Sequence, residues 1–599
     1  MKKNDLKRLV ILVVAMAAFI GTANAAPPVI LTVNPPVISN TYPGAIALDI
    51  TGLTNTEKVI IQRWIDNNSN GVIDAGEWLI DSFKISDGRA MVIGGVTNVS
   101  VPYDNNPITG EITTAFGLPP AMAIENMVGK YIFQVVSPSG RFLPVSASFA
   151  ITNSTFNQSV SGIVYSNGVP APNAVVVAQD LQAGNTVGAT LADASGHYFL
   201  TLAPGNYGFI AIAPNCYFNQ NAGPVVALTN GMSATNDLFT TNGTTTISGN
   251  VYDSASSNAI PGLLVQLQTG PLFVIAFTDT NGNYSASVTP NFWKIKPTKE
   301  RLTRRAYVVP QATFQVDATA GDVTNASISL TQGDALFYGR ITDNSNHPFA
   351  NIQIDSSAND ANNNSIASAK GYSDANGYFA VAVLGDRTNY WNCSVDSGTG
   401  TPLVNYVVNF FPQVTNAPGQ TTLENFVALP VIGQITGHAQ DNTGSPVAGV
   451  SLNANNNNNY QSLDGTTDNS GNYTLFVAAG QWYVQFLTGG NDSDNLDQHG
   501  LSDITGPHIV SVPPTNAVLN LTVFPIGTPF MSTPHRFSNT QFGFNVNGAL
   551  NVNYTVQVST NLASSNWNTL VSFQLTNSSF PVTDLNATNS PRFYRVLKN

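Results

Sequence analysis

Gly437-His438-Ala439, Ser445-Pro446-Val447-Ala448-Gly449-Val450, Asp468-Asn469-Ser470-Gly471-Asn472-Tyr473 and Ala479-Gly480-Gln481-Trp482 form one ordered stretch. The same order recurs three times upstream. Gly162, Pro170 and Asp193-Ala194-Ser195-Gly196-His197-Tyr198 make one copy. Gly249, Pro261 and Asp279-Thr280-Asn281-Gly282-Asn283-Tyr284 make another, and Gly339, Pro348 and Asp374-Ala375-Asn376-Gly377-Tyr378-Phe379 the third. The leading glycines lie 87, 90 and 98 residues apart. That spacing belongs to whole domains in tandem, not to the shorter units of a solenoid.

The Asp-x-x-Gly-x-aromatic element is turn chemistry. The Asp side chain accepts backbone N–H groups just ahead of it and starts a tight turn. The Gly supplies a positive φ. The aromatic opens the outgoing strand and is expected to point into a core. Pro in Val169-Pro170, Ile260-Pro261 and Ser445-Pro446 suits a strand entry or edge, where no N–H is needed. A second turn precedes an aromatic strand at Pro204-Gly205-Asn206-Tyr207, Pro290-Asn291-Phe292-Trp293 and Gly480-Gln481-Trp482-Tyr483. Short strands at regular spacing, separated by turns, predict β-sandwiches.

This pattern resembles the carboxypeptidase regulatory-like domain, a transthyretin-like sandwich, in four copies over about 160–525. The resemblance implies an accessory or structural module and brings no catalytic residues. The fold class is therefore expected to be all-β, a tandem array of Ig-like and transthyretin-like sandwiches. The expected divisions are repeats at 156–243, 244–332, 333–430 and 431–525. An Ig-like sandwich is expected at 26–155, a linker at 526–534 and a small β-domain at 535–599. That last piece, with Tyr554-Thr555-Val556-Gln557-Val558-Ser559, Trp567 and Phe593-Tyr594-Arg595, resembles the terminal β-domain of large secreted bacterial proteins. The resemblance implies surface attachment or sorting.

Residues 1–25 read as a secretory signal. Lys2, Lys3, Lys7 and Arg8 precede an apolar run from Leu9 to Ile20, and Ala23-Asn24-Ala25 is a small-x-small cleavage site. The run is short of the ~20 residues that span a bilayer, and no later stretch comes near that length. The mature chain is expected to hold no transmembrane segment and to be secreted, extracellular or at the cell surface, with the periplasm left open. Beyond residue 25 the chain carries 19 basic and 34 acidic residues, a balance that disfavours nucleic acid. Only 10% of residues are charged while 43% are hydrophobic, enough to build cores. The two cysteines, Cys216 and Cys393, fall in different repeats and read as buried thiols.

The most specific chemical motif lies in the first domain: Asp66-Asn67-Asn68-Ser69-Asn70-Gly71-Val72-Ile73-Asp74-Ala75-Gly76-Glu77. Calcium takes six to eight oxygens, and a twelve-residue loop can supply them from positions 1, 3, 5, 7, 9 and 12. Those positions are Asp66, Asn68, Asn70, the Val72 carbonyl, Asp74 and Glu77, with Gly71 at the sharp turn. The stretch resembles an EF-hand-type or dockerin-like calcium loop. Its flanks, Val59 to Ile65 and Leu79 to Ile85, alternate as strands, so the loop is expected to close a β-hairpin. A structural Ca²⁺ is the expected cofactor, with an ion-free Asn/Gly/Asp turn as the alternative.

Lys294, Lys296, Lys299, Arg301, Arg304 and Arg305 form a basic cluster. It reads as a solvated loop at a domain edge, with a docking patch for an acidic surface or neighbouring domain as the alternative. Asp492, Asp494, Asp497 and Asp503 fit no cation template and read as a solvated acidic loop. Asn455 to Asn459 reads as an exposed loop.

None of His197, His347, His438, His499, His508 or His535 starts a zinc-peptidase pattern. Nucleophile-elbow and phosphate-loop motifs are absent. The chain therefore reads as a non-catalytic structural or adhesive stalk, a monomeric rod. A carbohydrate- or protein-binding module, facing an extracellular glycan or surface protein, is the alternative. An enzyme with an unrecognised carboxylate pair is the remote one. A binder predicts an exposed aromatic platform on one domain only, whereas Trp293, Trp391 and Trp482 sit at matching strand positions and predict core.

Overall fold

The computed structural model describes residues 27–599 apart from 119–123, 125, 183, 312–313, 363, 398–400, 464, 490–491, 513–515, 564, 578 and 589–590. The signal segment at 1–25 lies outside the described residues. Strands hold 55% of residues and helices 2%, so the chain is all-β. It divides into two compact units. One comprises residues up to 404 with 411–427, the other 405–410 with 428–599.

The first domain is a sandwich. Ile30–Asn34, Ala45–Thr51 and Ile112–Gly117 form one sheet. Val37–Ser39, Val145–Thr152, Gly129–Val136, Lys58–Ile65 and Leu79–Ser86 form the other. Alternation decides which side faces in: Ile46, Leu48 and Ile50 are buried along Ala45–Thr51 and meet Ile61, Phe116, Phe133 and Val135. Lys58–Ile65 pairs antiparallel with Leu79–Ser86, from Lys58 opposite Ser86 to Trp64 opposite Leu79. The hairpin expected around residues 66–77 is present.

The four repeats share one plan. The glycine-bearing strands are Gln158–Ser166, Thr245–Asp253, Ala335–Asp343 and Gly433–Asp441. Each pairs antiparallel with the strand leaving the Asp-x-x-Gly turn, and each sets its glycine opposite the aromatic: Gly162–Tyr198, Gly249–Tyr284, Gly339–Phe379 and Gly437–Tyr473. Each also runs parallel to a later strand, such as Leu238–Asn242, Ile328–Gln332, Thr421–Leu423 and Leu521–Pro525. The facing sheets are built around Val175–Asp180, Leu264–Thr269 and Gln353–Asn359, and in the fourth repeat around Leu452–Asn455 and Gly480–Phe486. Trp293, Trp391 and Trp482 are fully buried, as core residues should be.

The turns form as the residues dictate. Oδ1 of Asp193, Asp279, Asp374 and Asp468 each accepts two backbone N–H bonds of 2.8–3.0 Å, from the residues two and four ahead. Gly196, Gly282, Gly377 and Gly471 adopt φ of 74–80°. His197, Asn283, Tyr378 and Asn472, which follow those glycines, are all exposed.

Within the first unit the domains are not simply laid end to end. Strand Cys216–Asn219 of the first repeat pairs with Leu272–Phe277 of the second, Phe218 opposite Phe273. Tyr307–Pro310 of the second pairs with Ser365–Tyr372 of the third, Val309 opposite Ser368. The N-terminal sandwich also packs sideways. Val128 N–H bonds the Ala189 carbonyl at 2.9 Å, and Ile93 and Val101 share a core with Leu336, Ala380 and Ala382 of the third repeat.

In the second unit, Tyr406–Val408 pairs with residues 428–430, and Val407 is buried in the core of the fourth repeat. Asn456 Oδ1 accepts the N–H groups of Asn458 and Tyr460, which folds the Asn run into the exposed turn expected of it. The terminal domain has two three-stranded sheets, Phe530–Ser538/Gln541–Asn547/Ser579–Asp584 and Asn568–Gln574/Asn553–Ser559/Phe593–Lys598. The segment 526–534, read as a linker, already contains the start of strand Phe530–Ser538.

Candidate functional site

The candidate calcium loop hangs from the hairpin at residues 66–77. Asp66 and Glu77 close its two ends and are largely buried. Asp66 accepts the N–H of Asn70 at 3.1 Å and of Gly71 at 3.0 Å. Glu77 accepts the N–H of Asn67 and of Asp74, both at 2.9 Å. Asp74 Oδ2 accepts the side-chain amides of Asn68 at 2.6 Å and Asn70 at 2.7 Å. Gly71 and Gly76 carry the positive φ the tight path needs, 77° and 92°. Two of the six candidate ligands thus converge on one oxygen of a third, and the donor set is the hard oxygen type calcium takes. The carboxylates of Asp66 and Glu77 are turned to the loop backbone. Among the described residues no three His, Cys, Asp or Glu side chains gather as a metal-ligating group. Coordination would require Asn68 and Asn70 to present their amide oxygens in place of the amide N–H groups now on Asp74.

The acidic loop disperses. Asp494 accepts the Ser451 hydroxyl at 2.5 Å, Asp497 the Gly489 N–H at 3.1 Å, and Asp503 contacts His508 Nε2 at 2.8 Å. His347 likewise pairs with Asp343 inside its own turn at 2.9 Å.

The basic cluster does not behave as one solvated loop. Lys294 and Lys296 are exposed, but Arg301 and Arg304 are buried. Arg304 Nη1 meets Asp81 Oδ2 of the N-terminal sandwich at 2.6 Å, its Nη2 donates to the Gly117 carbonyl at 2.7 Å, and its guanidinium lies 4.2 Å from the Phe116 ring centroid. Arg305 reaches the other Asp81 oxygen at 3.4 Å. The half of the cluster carried on Lys299–Thr303 and the turn after it therefore docks on a neighbouring domain. Gly262 lets the second repeat approach this spot: at φ 65° it passes so close to the Asp81 backbone that a Cβ would come within 2.7 Å. Asp81 was not singled out in the sequence. The signal was a lone acid in the apolar strand Leu79–Ser86, whose first five residues are all buried because both faces are covered.

Two further features stand out among the repeats. Tyr165 and Phe239 lie on neighbouring strands of the first repeat with ring planes 13° apart and centroids 5.4 Å apart, and Phe239 is 65% exposed. The matching pairs in the second and fourth repeats are Tyr252–Ser329 and Gln440–Thr522, so neither repeats the aromatic pair. The third repeat departs elsewhere. Phe379 replaces the tyrosine, and among the described residues the Trp391 indole N–H has no hydrogen-bond partner and the buried Glu424 has none at Oε2. Burial pushes the Glu424 carboxyl up to about 7, opposed in part by the Cys393 thiol, and burial raises the Cys393 thiol in turn. Cys216 and Cys393 are both buried free thiols.

No family model matches the chain, and no curated relative matches it. Among solved structures, the chain is similar to the Bacillus anthracis TIE protein at 12% identity and TM-score 0.14, over 71% of this chain and 79% of that one. It is similar to a streptococcal ancillary pilin at 13% identity and TM-score 0.15, over 46% and 98%. A DUF3823 family protein from Bacteroides ovatus shares 13% identity at TM-score 0.13, over 28% and 90%. Likeness at this level carries no argument about fold or activity.

Proposed function

We propose that this chain is a non-catalytic structural protein of the cell surface or extracellular space, built from carboxypeptidase regulatory-like sandwiches. One observation carries the reading: neighbouring domains of the first unit are joined by shared sheets and by the buried Asp81–Arg304 pair. Polar groups are buried between domains at a cost that only a fixed arrangement recovers. A chain made to transmit or resist force needs such junctions; a string of independent binders does not. Single-molecule stretching of the full chain tests it. The first unit should yield in one or two large steps at high force. Release domain by domain at low force would overturn it.

The loop Asp66–Glu77 is proposed to hold a structural Ca²⁺ through Asp66, Asn68, Asn70, the Val72 carbonyl, Asp74 and Glu77. Its support is the oxygen-only donor set and the convergence of Asn68, Asn70 and Asp74. The ion would fix the hairpin that carries Asp81 at its base.

A second reading, recognition of a glycan or protein partner, is favoured by the Tyr165–Phe239 pair, present on the first repeat and not at the matching pairs of the second and fourth. Exposed stacked aromatics offer a large, rigid apolar contact. Loss of surface binding in a Phe239→Ala chain of unchanged stability would support it.

A further inference from the structure

We infer that the first unit carries a binding cleft for a neutral saccharide between its N-terminal sandwich and its third repeat. The cleft has a volume of about 470 Å³, within the range of small-molecule sites, and it lies at a domain interface, where such sites concentrate. It rests on the second reading above, that the chain recognises a ligand, but on residues separate from Tyr165 and Phe239.

The walls decide the ligand's chemistry. One wall comes from the segment around Tyr103 and the strand Ile112–Gly117; the other is the Asp-x-x-Gly turn of the third repeat and the two residues before it, Tyr372 and Ser373. Small apolar residues, Ala115 and Ala375 among them, line the cleft. Two tyrosines, Tyr103 and Tyr372, add aromatic surface. The two charged groups in the lining are already committed. Arg304 is spent on Asp81 at 2.6 Å and on the Gly117 carbonyl at 2.7 Å. Asp374 Oδ1 is spent on the N–H groups of Asn376 at 2.8 Å and Tyr378 at 2.9 Å. An anionic ligand would therefore find no free counter-charge and would lose its hydration on entry.

The polar groups left to a ligand are neutral. The side chains of Asn105 and Asn376 are exposed at the cleft, and among the described residues neither they nor the Tyr103 hydroxyl takes part in a hydrogen bond. Each amide offers both donors and an acceptor, and the phenol offers one of each. A molecule with an apolar face for the alanines and tyrosines, and hydroxyls around its edge for two amides and a phenol, is a sugar ring. The volume holds roughly two such rings.

The test uses the full chain and a panel of neutral sugars: glucose, galactose, mannose, N-acetylglucosamine, maltose and cellobiose. Binding is followed by saturation-transfer NMR and titration calorimetry. At least one sugar should bind saturably, and glucuronate should bind no better than glucose. Ala375→Trp, which fills the cleft from an exposed turn position, and Asn376→Ala should each weaken binding at least tenfold without shifting the melting temperature. If Ala375→Trp disturbs folding, Tyr103→Phe serves in its place. Absence of saturable binding by every sugar would overturn the inference. So would binding that survives the cleft variants. Binding lost only in Phe239→Ala would overturn the cleft while leaving the second reading standing.

Discussion

Four glycines sit where a carbonyl crosses the sandwich too closely for any side chain. A Cβ on Gly162, Gly249, Gly339 or Gly437 would collide with the carbonyl of Asn236, Ala326, Glu424 or Leu519 respectively. In three repeats the same carbonyl accepts the hydroxyl of the facing tyrosine: Tyr198 at 2.6 Å, Tyr473 at 2.6 Å, and Tyr284. The glycine is therefore half of a cap and the tyrosine the other half. Replacing Tyr473 by Phe should cost ~1 kcal/mol, the worth of one buried hydrogen bond, and Tyr473→Ala ~3–5 kcal/mol through the cavity left behind. In the third repeat Phe379→Tyr should gain ~1 kcal/mol by restoring the bond to Glu424. Chemical denaturation of each variant reads these values, and a Tyr473→Ala loss under ~1 kcal/mol would show that the ring is not core. Glu424 gives a pH signature. Its folded pKa of about 7 stands above the ordinary 4.5, so the folded state holds the proton more tightly. Stability is full below 4.5 and falls as pH rises to about 7. Glu424→Gln should flatten that slope and stabilise the chain at pH 8 by on the order of 2 kcal/mol. The turns were legible in the sequence because their chemistry is local. Glu424's burial was not, because it depends on contacts from distant parts of the repeat, Cys393 among them.

At the scale of elements, the loop Asp66–Glu77 and its flanking strands were readable, since alternation changes to an Asn/Gly/Asp run and back. What alternation cannot say is where the carboxylates point, and here two of them turn to backbone N–H groups. If calcium draws the oxygens together, a melt of the full chain in 5 mM calcium against chelator should show stabilisation of the first domain. The gain should be ~2 kcal/mol for a dissociation constant near 10⁻⁴ M, and Glu77→Gln should abolish it. Unchanged melting would leave the loop an ion-free turn. The start of strand Phe530–Ser538 reads as linker in the sequence because Thr533 and Pro534 interrupt its pattern. The register shift between Ser532 and His535 accommodates them as a bulge. Segment 405–410 shows a related limit: Val407 belongs to the fourth repeat's core although the repeat signature begins only near Gly433. A fragment starting at 405 should outlast one starting at 431 in denaturant.

For the molecule as a whole, sequence periodicity correctly yields repeated sandwiches but carries no information on which faces meet. Asp81 and Arg304 are 223 residues apart, and each alone reads as an ordinary charge. Only the fold shows that both faces of the hairpin are covered and that the pair is desolvated. Removing one partner of such a pair leaves the other buried and uncompensated, at a cost of ~3–5 kcal/mol. The first unit is expected to behave as one structural block held by these junctions. Hydrogen exchange across a denaturant series, on the full chain and on its Asp81→Asn variant, tests it most directly. Strands Lys58–Ile65, Leu264–Thr269 and Gln353–Asn359 should open together in the native chain, and Asp81→Asn should let the first open at lower denaturant than the other two. Separate opening of the three strands in the unaltered chain, or no change in Asp81→Asn, would contradict it.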